Sequence, residues 1–524
     1  MDRRRIGVSA ARNGSADPCA GSPRRRGLAG DRLDDRVVAR AGELRSEARG
    51  ARGPGSARDA DPCQRDRERA ADRGRRLAGA GVASLGKEEV RVRRAFSVTA
   101  ASVLILAAGG VAGGTRRASR AAGVTAFVGV SVVPMDREVV LPDQTVIVEG
   151  DRISSIAPNG SVPIPAGASR IDASGKYLLP GLIDMHVHVR ERDLTAYVAN
   201  GITSVRNMWG YVALPGIMER VESGALVGPT IYSASPGLDG PPGYWPETQL
   251  IDDPARADAL VAAQVDAGWL FVKVYQNLRP SVYDAILVAA RSRGIRVIGH
   301  VPTEVPVEHA LDLGQASLEH LHGYDLAITL RNRGPFDPIT WTQIDTGKLP
   351  DLVERTRVTG AWNCPTLAIW EVFTRGMAVA DRQAVLSNRR LVVGALHAGA
   401  GRILAGTDSG IDQTLPGTSL HDELDELVAS GLSPYEAIRS ATSGGALFLE
   451  QTPEIGSVAP GRRADLVLVD RNPLEDVRAL RNPRGVMWHG LWRLDPGLAR
   501  TVMPCGQSGS QPGCRRGATR TVAH

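Results

Sequence analysis

At 524 residues the chain is long enough to bury a large core and to carry more than one domain. Its formal charge of +6 conceals two parts of opposite sign: residues 1–120 hold 27 Lys and Arg against 14 Asp and Glu, and the remainder holds 36 against 43. The larger part is mildly acidic, which removes the case for a nucleic-acid partner. Five dispersed cysteines without a Cys-x-x-Cys pair argue against a disulfide framework and a thiolate metal site.

Taken in chain order, residues 1–90 are dense in Arg, Asp, Ala and Gly and lack hydrophobic periodicity. They cannot bury enough apolar surface to fold, so this segment is expected to be disordered or to precede the natural start. Arg91-Val92-Arg93-Arg94-Ala95-Phe96 then leads into an apolar run from Val98 to Ala108 and small residues up to Gly114. A basic flank, a short apolar core and a small-residue exit have the layout of a secretory signal, and the Arg-Arg pair resembles a twin-arginine type. Residues 91–118 are therefore expected to be a signal peptide, with export to the periplasm or cell exterior; without it the protein would be cytoplasmic. The run is too short to span a membrane, so no stable membrane insertion is expected.

Residues 119–178 are β-like: Phe127–Val133, Thr145–Glu149 and Arg152–Ile156 run apolar or alternate between turn residues. Residues 451–492 are similar in character around Ala464–Val469. Between them, over 179–450, short apolar strands alternate with helical patterns such as Ala255–Ala267, Ser281–Arg293 and Ser419–Ser430. Repeated strand–helix units of this extent fit an α/β fold, a (β/α)8 TIM barrel, whose usual size is about 250 residues. The two flanks are expected to form a small β-sandwich domain. Residues 493–524, rich in Gly, Arg and Ser, are expected to be a disordered tail.

Functional groups of such a barrel collect at the C-terminal ends of its strands. The first such strand end is Leu182-Ile183-Asp184-Met185-His186-Val187-His188. Side chains at i and i+2 of a strand share a face, so His186 and His188 can grip one ion together, and coordination satisfies imidazoles that are costly to bury unpaired. Later strands end in Lys273, His300, His320 and Asp408, each at the close of an apolar run. Singly, each has a plain structural explanation: a lysine paired with a carboxylate, or a hydrogen-bonded core histidine. Six such groups at successive strand ends do not. Lysine is also scarce, with only Lys87, Lys176, Lys273 and Lys348, so one inside an apolar strand stands out. Tyr275 shares the strand face of Lys273, where it either hydrogen-bonds a substrate carbonyl or packs. His322 is assigned to a loop, Cys364 to a buried thiol, and His309, His397, His421, His489 and His524 have no comparable context.

These strand ends resemble the amidohydrolase superfamily of metal-dependent hydrolases, and within it the imidazolonepropionase- and prolidase-like branch. The likeness extends over 124–492 and includes the Asp172-Ala173-Ser174-Gly175-Lys176 turn and Gly456-Ser457-Val458-Ala459-Pro460-Gly461-Arg462-Arg463-Ala464-Asp465-Leu466. The resemblance implies two divalent ions, zinc by preference with manganese, cobalt or iron accommodated. His186, His188 and Asp408 would hold one and His300 and His320 the other, bridged by Lys273 after its amine is carboxylated by carbon dioxide. It further implies that a metal-bridged hydroxide attacks the carbonyl, with Asp408 as general base.

Val205-Arg206-Asn207-Met208-Trp209-Gly210 departs from the Val-Arg-Asp-Met-Gly-Gly of many prolidase-like members, and the loop from Gly237 to Pro246 lacks their Gly-Gly-His. Trp209, Tyr244 and Trp245 are thus expected to reshape the pocket. The reading is an enzyme acting on a carbon–nitrogen amide bond of a small molecule, a dipeptide foremost. Hydrolysis of a cyclic amide, carbamate or ester on the same centre is the alternative, and a non-catalytic binding barrel is the rival from another class. Homo-oligomerisation is left open.

Overall fold

The computed structural model describes residues 123–245, 247–334, 336–411 and 414–493. The expected signal peptide, the segment before it and the tail beyond Arg493 lie outside these residues.

The flanking segments build one sheet. Strands β1 (Val124–Val132), β2 (Leu141–Glu149) and β3 (Arg152–Pro158) form an antiparallel meander rich in Val and Ile. The other edge of β1 takes two short parallel strands in succession, β4 (Ser169–Asp172) along its first half and β5 (Tyr177–Pro180) along its second. The turn between them is tied by Asp172, whose Oδ1 accepts from the Ser174 amide at 3.1 Å and hydroxyl at 2.7 Å.

From the far end of the chain, β16 (Leu466–Val469) lies antiparallel to β5, followed by β17 (Gly485–Trp488) and β18 (Leu491–Arg493). The order β18-β17-β16-β5-β1-β2-β3 is a single hydrogen-bonded sheet, which corrects the expectation of a two-sheet sandwich. The reason is that β5 uses both of its edges, one on β1 and one on β16, and so stitches the flanks into one ladder. An isolated bridge between Arg152 and Arg463 returns the β3 edge to the approach of β16. The sheet thereby curls around Phe127, Val146, Ile153, Leu178, Leu466 and Met487.

The central region supplies eight parallel strands that position the site. Three form one sheet: β6 (Leu182–Val187), β7 (Ile202–Asn207) and β8 (Thr230–Ser233). After the short pair β9 (Leu238–Asp239) and β10 (Gln249–Leu250), five more follow: β11 (Phe271–Val274), β12 (Arg296–Gly299), β13 (Ser317–Glu319), β14 (Trp362–Cys364) and β15 (Arg402–Ile403). Single parallel bridges rather than continuous ladders join the two sheets at both seams, Ala234 to Phe271 and Val187 to Ser409.

Helices intervene between successive strands and bury one stripe each. Pro280–Ser292 starts on a proline suited to a first turn and buries Val282, Tyr283, Ile286, Leu287, Ala289 and Ala290. Among the described residues no helix is long and apolar enough to cross a membrane.

Candidate metal centre

A register shift in β6 interrupts the alternation between Asp184 and Val187, so Ile183 and Met185 pack in one core and Val187 in another. His186 and His188, two apart on either side of Val187, share a face. His186 and His188 turn their Nε2 atoms to the same oxygen, Asp408 Oδ1, at 3.3 and 3.1 Å. The three side chains offer donor atoms that lie within 4.8 Å of one another.

Asp408 reaches this position on an unusual backbone. Its φ is +58°, a left-handed conformation that aspartate tolerates better than most residues. The amides of Thr407 and Asp408 both donate to the His186 carbonyl, at 3.2 and 2.8 Å. Asp184 holds the same loop from the other strand, accepting from the Thr407 hydroxyl at 2.7 Å. At Gly410, with φ +95°, a Cβ would stand 1.9 Å from the His188 carbonyl oxygen, so glycine is required for the loop to pass.

The remaining ligand candidates converge from the neighbouring strands. His300 follows β12, and its ring lies 4.9 Å from that of His320, which follows β13. His320 Nδ1 is 2.7 Å from Thr366 Oγ1, and His186 Nδ1 is 2.7 Å from Glu319 Oε2, so each ring has its Nε2 left for another partner. Buried His300 Nδ1 has no hydrogen-bond partner among the described residues. Burial pushes His188, His300 and His320 down from the ordinary imidazole value, which keeps their lone pairs free near neutral pH. Burial opposes ionisation of Asp408, but His320, His186 and His188 outweigh it and hold its carboxyl well below the usual range. Imidazole nitrogens converging on a carboxylate oxygen are a donor set that suits a divalent cation.

Lys273, from β11, is fully buried in the same cavity, and burial draws its amine down to about 8. Tyr275 sits beyond the end of β11 on the Lys273 face. Its hydroxyl oxygen accepts a hydrogen bond from Trp245 Nε1 at 2.9 Å, and burial keeps it a neutral phenol. The structure thus brings His186, His188, Lys273, Tyr275, His300, His320 and Asp408 into one cavity of about 220 Å³.

His322 occupies the turn after β13. It is buried, with its ring 4.3 Å from His300, and neither of its nitrogens has a hydrogen-bond partner among the described residues. His309, His397, His421 and His489 are engaged elsewhere, by Asp284, Glu436, the Asn200 carbonyl and Thr230.

Two functional side chains were not singled out by the sequence reading. Arg206 of β7 donates to both oxygens of Glu319 at 3.0 Å and to the Met185 carbonyl at 2.5 Å, and all of this is buried. Glu319 in turn orients His186. The available signal was the alternation of Ser317 and Glu319 in a short apolar strand: a buried carboxylate there demands a buried cation. Cys364 also lies within reach of His186 and Glu319. Burial pushes its thiol well up, and Glu319 is already taken by Arg206 and His186, so this trio is not a second ion site.

Glu319→Gln is expected to weaken metal retention about 10- to 100-fold, read by titration with a chelator, because it loosens the ring of the candidate ligand His186. It should also destabilise the fold by about 3–5 kcal/mol in denaturant unfolding, since Arg206 keeps its charge without a carboxylate.

Comparison with known proteins places this geometry in context. Residues 177–492 match the Amidohydrolase family. The chain is 26% identical to ochratoxinase of Aspergillus niger over 383 residues, covering 60% of this chain and 74% of that one. It is 27% identical to imidazolonepropionase of an Arthrobacter species over 421 residues, covering 68% and 94%. Among solved structures, a Xaa-Pro dipeptidase with methionine bound in its active site superposes with a TM-score of 0.57 at 22% identity, over 71% of this chain and all of that one.

Proposed function

The chain belongs to the amidohydrolase family and hydrolyses carbon–nitrogen bonds of small molecules; on that premise we propose that it is a binuclear metal hydrolase cleaving the amide bond of a dipeptide, in the manner of a prolidase. The eight parallel strands are read as one (β/α)8 barrel whose two seams are the single bridges.

A count of donors carries the reading. His186, His188 and Asp408 supply three convergent ligand atoms. His300 and His320 supply two, and among the described residues no further His, Cys, Asp or Glu completes a group of three with them. Lys273 faces the same cavity and is the residue able to complete that set, once carbon dioxide converts its amine to a carbamate. Its depressed basicity leaves a share of the amine neutral, and the neutral form is the nucleophile that carboxylation needs. Imidazole and carboxylate donors suit zinc, and accommodate manganese, cobalt or iron.

Such ions, when bound, bring the pKa of a water toward neutrality and polarise a carbonyl. The chain supplies the proton handling and the orientation. Asp408 takes the proton from the attacking water and returns it to the leaving nitrogen. Tyr275 receives a hydrogen bond from Trp245, whose indole is a donor only, so its own hydroxyl proton is left to donate to the substrate's carbonyl oxygen. Tyr275→Phe is expected to lower kcat by about 100-fold with the metal content unchanged. An effect on KM alone would reassign this ring to packing.

The reading is tested by offering purified protein dipeptides ending in proline and in other amino acids, N-acyl amino acids and lactones. Release of amino acids from dipeptides is expected, and turnover confined to lactones would displace the amide reading. Export is part of the same proposal, resting on residues 91–118 as a signal peptide. Fractionated cells should yield protein whose amino terminus lies near residue 119.

A further inference from the structure

Aromatic residues are scarce in this chain: 6 Phe, 8 Trp and 9 Tyr in 524 residues. Yet the cavity that gathers the metal donors is walled by Tyr244, Trp245, Tyr275, Phe336 and Phe373. An outer cavity of about 510 Å³ adjoins it, sharing His188, Trp245 and Ile411, and adds Trp209 and Tyr211. Folding does not account for this concentration, because two of the rings remain in water. Tyr244 is 53% exposed and Phe373 39% exposed, while the cores of the domain are largely aliphatic.

The rings are also ordered in space. Tyr244 stands 5.2 Å from Trp245 and 5.8 Å from both Tyr275 and Phe336, centroid to centroid. Phe336 stands 5.8 Å from His300. A continuous aromatic surface therefore runs from the solvent-exposed mouth to the ligand histidines. These separations are those of rings in mutual contact, so the wall is one connected aromatic surface whose cavity-facing side is open to a further ring.

Charge points the same way. The charged groups lining the inner cavity are Lys273 and Asp408, both committed to the metal centre. Arg190, Glu191 and Glu247 line only the outer cavity, where Glu191 is held by Arg220 at 2.7 Å. Away from the candidate metal donors, the inner wall presents ring and aliphatic surface without a further charged side chain.

We infer that the amide hydrolysed by this chain carries an aromatic ring close to the scissile bond, seated on the surface made by Tyr244, Trp245 and Phe336. This rests on the amide-hydrolase reading above and narrows it: a small aliphatic dipeptide leaves that surface in water, whereas an aromatic one covers it.

The test uses three amides that all end in a carboxylate: N-acetylglycine, N-benzoylglycine with its ring on the acyl side, and N-acetylphenylalanine with its ring on the amine side. The full metal-loaded chain should cleave at least one of the ring-bearing pair with kcat/KM about 10-fold or more above N-acetylglycine, and the better one tells which side the wall serves. In Tyr244→Ala and Phe336→Ala that ratio should fall toward one. Tyr244 is half in solvent, so its loss spares the fold. Equal kcat/KM for all three amides overturns the inference while leaving amide hydrolysis standing. Should none be cleaved, calorimetric titration with phenylacetate and acetate decides it independently of turnover. Tighter binding of phenylacetate, lost in Tyr244→Ala, upholds the aromatic site, and equal affinities refute it.

Discussion

Lys273→Ala is expected to lose one of two bound ions and most activity, a drop well beyond the roughly 10- to 100-fold typical of a residue that only orients a ligand. The carbamate would contribute two anionic oxygens where His300 and His320 alone leave the second ion short of donors. Short carboxylic acids added in solution should partly restore turnover by occupying the space of the missing carbamate. Lys273→Arg separates the proposal from a simpler one. A guanidinium keeps the charge but cannot be carboxylated, so it should fail as badly as alanine. A lysine that merely balanced Glu319 and Asp408 would tolerate arginine, and an arginine variant with two ions and near-normal turnover would falsify the carbamate.

Asp408→Asn should lower kcat by about 1,000-fold or more. The change removes the anion on which both His186 and His188 converge, and with it the group proposed to move the proton from water to the leaving nitrogen. Asparagine is nearly the same size and also tolerates the left-handed backbone, so the loop should survive. Metal content and thermal unfolding close to those of the parent, together with the loss of kcat, would locate the effect in the chemistry. Normal turnover would remove Asp408 from the mechanism.

The contrast between what could be read from the chain and what could not tracks the range of each interaction. His186 and His188 are legible because a period of two is local, and Lys273, His300, His320 and Asp408 because a polar group closing an apolar strand is local too. Arg206 and Glu319 lie 113 positions apart, and no local pattern pairs them. The single curled sheet depends on β5 lending both edges to pairing, a choice that alternation within the strand does not record. β15 is only Arg402–Ile403, too short to show periodicity, and its legible mark is Asp408 just beyond it. The aromatic wall is assembled from loop residues Tyr244, Trp245 and Phe336 and the end of a helix at Phe373, whose proximity exists only in the folded protein.

The proposed amide hydrolysis rests on two ions that His186, His188, Asp408, Lys273, His300 and His320 would hold at the strand ends, where they would activate a water and polarise the carbonyl. Elemental analysis of the full-length protein, purified from zinc- or manganese-supplemented cells and assayed for amide hydrolysis, measures this most directly. About two equivalents per chain are predicted, with activity abolished by a chelator and restored by either metal. Fully active protein carrying one ion or none would contradict it.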